Sequence, residues 1–152
     1  MVDRLSIERR SALMRRVRSR DTSPEITVRR IAHRLGFRFR LHRRDLPGTP
    51  DIVFPSLRAV IFVHGCFWHR HHNCKKASTP KSRIDFWTLK FEHNVARDLR
   101  NKSALRRLGW RVHTVWECEL KKPARLERSI ERFLTTSRTR ARQIDAARSF
   151  AK

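Results

Sequence analysis

The chain has 152 residues, enough to bury one core and too few for two ordinary domains. Thirty-seven Lys and Arg against fourteen Asp and Glu give a formal charge of +23, a density that repels itself unless a polyanion neutralises part of it, so nucleic acid is the implied partner. No stretch reaches the roughly 18 continuous apolar residues of a membrane-spanning helix, and no charged-then-apolar leader opens the sequence, which makes cytoplasm the expected location.

In chain order, residues 6–20 form a basic helix candidate with Leu5, Met14 and Val17 as its few apolar anchors. A second helix begins at Thr22-Ser23-Pro24-Glu25, where Thr22 caps with Glu25 three positions on, or Ser23 caps with Pro24 as first helical residue. Ile26, Ile31, Ala32 and Leu35 supply its apolar side, and Gly36 is placed to end it. The period then shortens to two: Phe37, Phe39 and Leu41 alternate with Arg38, Arg40 and His42, the pattern of a half-buried strand. A turn at Leu46-Pro47-Gly48-Thr49-Pro50 leads into a short strand at 51–54, halted by Pro55, and the apolar run 59–63 reads as the central strand. The segment 64–81 is a loop dense in His, Cys, Trp and Lys. Helical period returns over 84–108, with Phe86, Leu89, Val95, Leu99 and Leu105 among its apolar positions and Gly109 as a stop; a further strand covers 111–116, and Pro123 leads a last helix over 124–134. The tail from residue 135, with little apolar content, is expected to be loosely ordered or to lie along a partner. These elements predict an α/β fold, a mixed sheet flanked by helices. The expected division is a basic N-terminal arm (1–20), a single domain (21–134) and a basic C-terminal tail (135–152).

The three cysteines are an odd number in a chain without an export signal, so a metal site explains them better than a disulfide framework. Cys66, His71, Cys74 and Cys118 make the four soft or borderline donors of a closed tetrahedral zinc site, with His69 and His72 as competing ligands. The plain alternative is cysteines acting as small buried apolar groups. Asp51 opens a strand just past a tight turn, where a hard carboxylate can bind Mg²⁺, and Glu25 can orient water on such an ion. Both acids also have ordinary readings, as turn and helix caps. His64 and His69 lie at or beyond the end of the central strand, where an imidazole can exchange a proton with attacking water or a leaving oxygen. Phe67, Trp68 and Trp87 can stack on or wedge between bases, or simply fill core.

The strings HGCFWHRHHNC at 64–74, PGTPDIVF at 47–54 and WRVHTVWEC at 110–118, with Phe86-Trp87, resemble the very short patch repair endonuclease family. The ordered match runs from about residue 15 to residue 120. The resemblance implies a restriction endonuclease-like, PD-(D/E)XK core and Mg²⁺-dependent nicking of double-stranded DNA 5′ to the thymine of a T·G mismatch; cutting one strand needs only a monomer, and the expected place of action is the nucleoid of a prokaryotic cell. It also implies site roles. Asp51 and the backbone carbonyl of Val63 hold the Mg²⁺, His69 is the general base, His64 an assisting histidine, and Glu25 a helix carboxylate near the metal's hydration shell. Phe67, Trp68 and Trp87 intercalate beside the mismatch, the helix around Met14 approaches from the opposite groove, and Cys66, His71, Cys74 and Cys118 bind structural Zn²⁺. The sequence departs from the family in a zinc loop one residue longer than in some members and in Val63, where a hydroxylated residue occurs in others. The usual second acid and lysine of PD-(D/E)XK nucleases are absent after the central strand. Two other functions compete with this one: a noncatalytic zinc-stabilised nucleic-acid-binding protein, and a restriction-like nuclease on matched DNA.

Overall fold

The computed structural model describes residues 6–151. Its elements are α1 (Ile7–Arg16), α2 (Ser23–Arg34), β1 (Arg40–Leu41), β2 (Ile52–Phe54), β3 (Ala59–His64), α3 (Ile84–Arg107), β4 (Arg111–Trp116) and α4 (Pro123–Phe150). One four-stranded sheet runs in the order β1-β2-β3-β4, with β1–β2 and β2–β3 antiparallel and β3–β4 parallel. The parallel pair requires a crossover, and α3 supplies it. The α/β arrangement with a mixed sheet is therefore the one its periodicities predict.

Alternation along β2 and β3 divides the core between the two sheet faces. Ile52, Phe54, Ala59 and Ile61 face α2 and α4, meeting Val28, Ile31, Leu126, Ile130 and Leu134. Val53, Val60 and Phe62 face the other way, toward Leu46, Leu105 and Trp110. Helices on both faces explain why β2 is buried at every position and β3 at all but one.

Helix α2 starts at Thr22, whose hydroxyl accepts from the Glu25 N–H while the Glu25 carboxylate accepts from that hydroxyl. Of the two caps the sequence allowed, the one at Thr22 forms, and the other Glu25 oxygen accepts from the Asp21 N–H. Helix α1 is capped by Ser6 and buries no residue; Leu5, read as one of its anchors, lies outside the described residues.

Three expectations change. The strand expected over 37–42 shrinks to Arg40–Leu41, because Phe37 and Phe39 leave the ladder to pack edge-on against Phe54. In α3 the apolar positions Leu89 and Leu99 are exposed, and Trp87, Phe91 and Leu105 carry the burial. The segment after Thr135 is helical, continuing α4 to Phe150. Ser137 is fully buried and bonds the Phe133 carbonyl and Arg111, which carries the helix past its last buried large apolar residue, Leu134. Residues 142–150 are exposed throughout.

Candidate active site and metal centre

The register of the parallel pair sets both sites. Val63 is opposite Val115 and His64 opposite Trp116, so the chain leaves β3 and β4 side by side at one sheet end. Cys66 follows β3 by two residues and Cys118 follows β4 by two, and the loop between β3 and α3 folds back onto them. Cys66, His71, Cys74 and Cys118 place their ligand atoms within 4.8 Å of one another. His71 Nδ1 is 3.2 Å from Cys118 Sγ and 3.6 Å from Cys66 Sγ, and its ring stacks on Trp116 at 4.3 Å. Burial pushes the Cys66 thiol up to about 12. A thiol there is a poor anion in the absence of a cation, and three sulfurs with one imidazole are the donor set of structural zinc. The residues fit a zinc ion as the sequence predicted.

On the same end of the sheet, a cleft of about 820 Å³ is walled by the α1–α2 connection, the turn before β2, the end of β3 and α3. Asp51, Val63, His64, His69, Glu25 and Trp68, widely separated in sequence, all line it. Asp51 Oδ2 accepts a 2.7 Å hydrogen bond from the Val63 N–H, which ties the carboxylate to the end of β3. Burial raises the Asp51 carboxyl to about 6 against the lowering effect of that bond, and the Glu25 charge adds to the rise. A desolvated carboxylate beside a second acid is stabilised by a bound cation, and Asp51 with the neighbouring Val63 carbonyl offers hard oxygen donors suited to Mg²⁺.

Glu25 is 3% exposed, and both its oxygens have partners: the Asp21 N–H and Arg29 at 3.0 Å on one, the Thr22 hydroxyl at 3.0 Å on the other. Asp21, Glu25 and His42 also cluster closely, but Arg29 lies among them and compensates their charge.

His64 and His69 stack with centroids 3.8 Å apart and planes 9° from parallel. Burial, then the neighbouring His69 charge, lowers the His64 pKa to about 3, so this imidazole is neutral at physiological pH. Its Nδ1 has no hydrogen-bond partner among the described residues, a vacancy that a ligand or water can satisfy. Burial thus favours the uncharged form of the His64 ring.

His69 is held differently. Its Nδ1 lies 2.6 Å from Asp98 Oδ2, on α3. Burial raises the Asp98 carboxyl, but the hydrogen bond and charge of His69 outweigh it and hold Asp98 below the ordinary carboxylate range. Asp98 was not singled out from sequence; the helical period placed it on α3 but could not say which side chain it faces.

Phe67 and Trp68 are half-buried, whereas Trp87 is 6% exposed and packs on Phe67 at 5.6 Å and Phe91 at 5.7 Å. Trp87 fills core here, the other reading of these rings, and forms the floor on which Phe67 and Trp68 rest. Met14, from α1, reaches the cleft wall opposite α3.

Residues 2–76 match the family described as DNA mismatch endonuclease Vsr. The chain is 57% identical over 137 residues to the "Type II nicking enzyme V.XorIIP" of Xanthomonas oryzae pv. oryzae, covering 90% of this chain and all of that one. It is 42% identical over 124 residues to the "Type II nicking enzyme V.NmeAIP" of Neisseria meningitidis, covering 82% of this chain and 88% of that one. To the "DNA mismatch endonuclease Vsr" of Escherichia coli it is 46% identical over 112 residues, 74% of this chain and 71% of that one. Identity of this extent, over chains of which most is aligned, is shared descent, and this chain belongs to the Vsr family of DNA mismatch endonucleases.

Proposed function

We propose that this protein is a hydrolytic, strand-specific DNA endonuclease that nicks double-stranded DNA beside a mismatch, 5′ to the thymine of a T·G pair. The observation that carries the reading is convergence: Asp51, the end of β3 at Val63 and the His69–Asp98 pair line one cleft in a chain of charge +23. Phosphodiester hydrolysis needs a proton acceptor near attacking water and positive charge at the phosphate, and these groups are suited to supply them.

Asp51 and the Val63 carbonyl would hold Mg²⁺, which when bound neutralises charge on the phosphate and favours ionisation of water. His69 acts as general base. Asp98 accepts the proton-bearing Nδ1, which leaves Nε2 unprotonated and able to take a proton from water, and stabilises the imidazolium that results. His64, neutral and stacked on His69, orients that ring and offers its Nδ1 to water or a phosphate oxygen. Glu25, held by its cap and by Arg29, sets the negative field beside Asp51. Phe67 and Trp68, resting on Trp87, meet the mispaired bases, whose weaker stacking lowers the cost of parting them. Cys66, His71, Cys74 and Cys118 hold a structural Zn²⁺ that fixes the loop carrying His69. One active cleft suffices for one cut strand, so the active species is a monomer working on the nucleoid of a prokaryotic cell.

The test is strand-resolved cleavage of end-labelled duplexes containing T·G or C·G at one position, across varied flanks, with Mg²⁺. The expected result is a single nick in the thymine strand of the T·G duplex and none with Asp51→Ala. Equal cutting of the matched duplex would overturn mismatch selection, and the absence of cleavage across all flanks would overturn the catalytic reading.

A further inference from the structure

Helix α3 carries buried apolar groups at both ends, Trp87 and Phe91 before and Leu105 after. Between them the face turned to the cleft is polar: Asn94, Arg97, Asp98, Asn101 and Lys102, at spacings of three and four that put them on one stripe. A polar stripe in the middle of a crossover helix has a packing cost, and only Asp98 is explained by the catalytic reading.

The charges along this cleft are unequally compensated. Glu25 is paired with Arg29, Asp98 with His69, and Glu117 with Lys76. No carboxylate lies within ion-pair distance of Arg97 among the described residues; its Nη2 donates only to the neutral Asn94 Oδ1, at 3.1 Å. Asn94 in turn donates to the Trp68 carbonyl, also at 3.1 Å. The guanidinium is therefore tethered to the aromatic loop through Asn94 and keeps most of its five donors for something else. Lys102, half-buried on the same stripe, is the less suitable cation: burial works against its charge, and Asp98 is the neighbour that supports it.

We propose that Arg97 is a catalytic phosphate-binding residue, gripping the non-bridging oxygens of the scissile phosphate from the α3 wall of the cleft. The inference rests on the nicking function above. An arginine fork suits a phosphate in a way a point charge does not, and since no lysine directly follows β3 in this chain, a cation from a helix can take over the stabilisation of charge developing at phosphorus. Because Arg97 is tethered through Asn94 to Trp68, the grip on the phosphate is coupled to the seating of the base-contacting loop.

The experiment compares wild type, Arg97→Ala, Arg97→Lys and Arg100→Ala, the last removing a charge from α3 outside the cleft. Single-turnover cleavage of a T·G duplex is expected to fall by about 10²–10³ in Arg97→Ala, with duplex Kd within about threefold of wild type, partial recovery in Arg97→Lys and no loss in Arg100→Ala. Zinc content and Tm of each variant report folding. In a second arm, Mg²⁺-free binding is measured with an uncharged methylphosphonate at the scissile position. Wild type is expected to bind that duplex more weakly than the natural one, and Arg97→Ala to bind both alike. An undiminished rate in Arg97→Ala, or equal losses in Arg97→Ala and Arg100→Ala, would overturn the proposal. Failure of the wild type to cleave would instead count against the nicking function, and the binding arm would still decide whether Arg97 grips that phosphate.

Discussion

His69 and Asp98 are 29 residues apart in sequence, one in the zinc-tethered loop and the other in the crossover helix, and their side chains meet at 2.6 Å. In the proposed mechanism that contact assigns the imidazole proton, with Nδ1 donating to the carboxylate and Nε2 left as the base. Asp98→Asn can keep the geometry by presenting either its carbonyl or its amide, but it removes the charge that stabilises imidazolium. Single-turnover cleavage at neutral pH is expected to fall by about 10²–10⁴, with Tm and zinc content close to wild type. A rate within a factor of three of wild type would remove Asp98 from the mechanism.

The metal-binding role proposed for Asp51 conflicts with stability. Its carboxyl titrates at about 6 in the fold against an ordinary 3.8. A raised carboxyl favours the fold most below the unfolded pKa, and that contribution is lost as pH rises through about 6, where the buried group must ionise. At one pKa unit per 1.36 kcal/mol, the cost at neutral pH is up to about 3 kcal/mol. Asp51→Asn is therefore expected to raise Tm in Mg²⁺-free buffer while abolishing cleavage. The gain is near zero at pH 4, grows from there to pH 6 and levels off above pH 7. Thermal melts across that range check the sign; a variant less stable than wild type at pH 7.5 would contradict it.

The four candidate zinc donors come from two chain segments, Cys66, His71 and Cys74 from the loop after β3 and Cys118 from just past β4. Purified protein is expected to contain one zinc per chain by elemental analysis. Cys118→Ser should lower zinc affinity and reduce Tm by more than 5 °C, roughly a 2 kcal/mol effect or larger in a chain this size. Cleavage should fall with it, since the loop positions His69. Full zinc content and activity in that variant would show that Cys118 is not a ligand.

Helix α4 divides into a packed part and an exposed part. Leu134 is fully buried against the sheet, and residues 142–150 are exposed throughout. Leu134→Ala is expected to destabilise by about 2–5 kcal/mol, whereas truncation after Ala141 should change stability by less than about 1 kcal/mol, because it removes no buried apolar group. Denaturant melts of the two variants compare them directly. A truncation as damaging as Leu134→Ala would mean that the helix end makes contacts of its own.

The residue pattern alone determined most of the scaffold and named most of the residues that the structure gathers at one end of the sheet. The alternation at 59–63, the cap at Thr22 with Glu25 and the stops at Gly36 and Gly109 are local effects, decided within a turn or a strand by backbone sterics and burial period. The zinc donors were legible because cysteine and histidine have few other reasons to gather in a polar loop. Asp51, His64 and His69 were legible through their place in ordered motifs. What the tertiary structure decided was pairing. Phe37 and Phe39 abandon a regular strand because Phe54 offers more contact than the ladder, Trp87 becomes floor because Phe67 and Phe91 enclose it, and α4 passes Thr135 because Ser137 and Arg111 meet beneath it. Asp98 and Arg97 gained their significance the same way. A helical stripe records which residues share a face, whereas the group that face meets depends on where the parallel crossover sets the helix down.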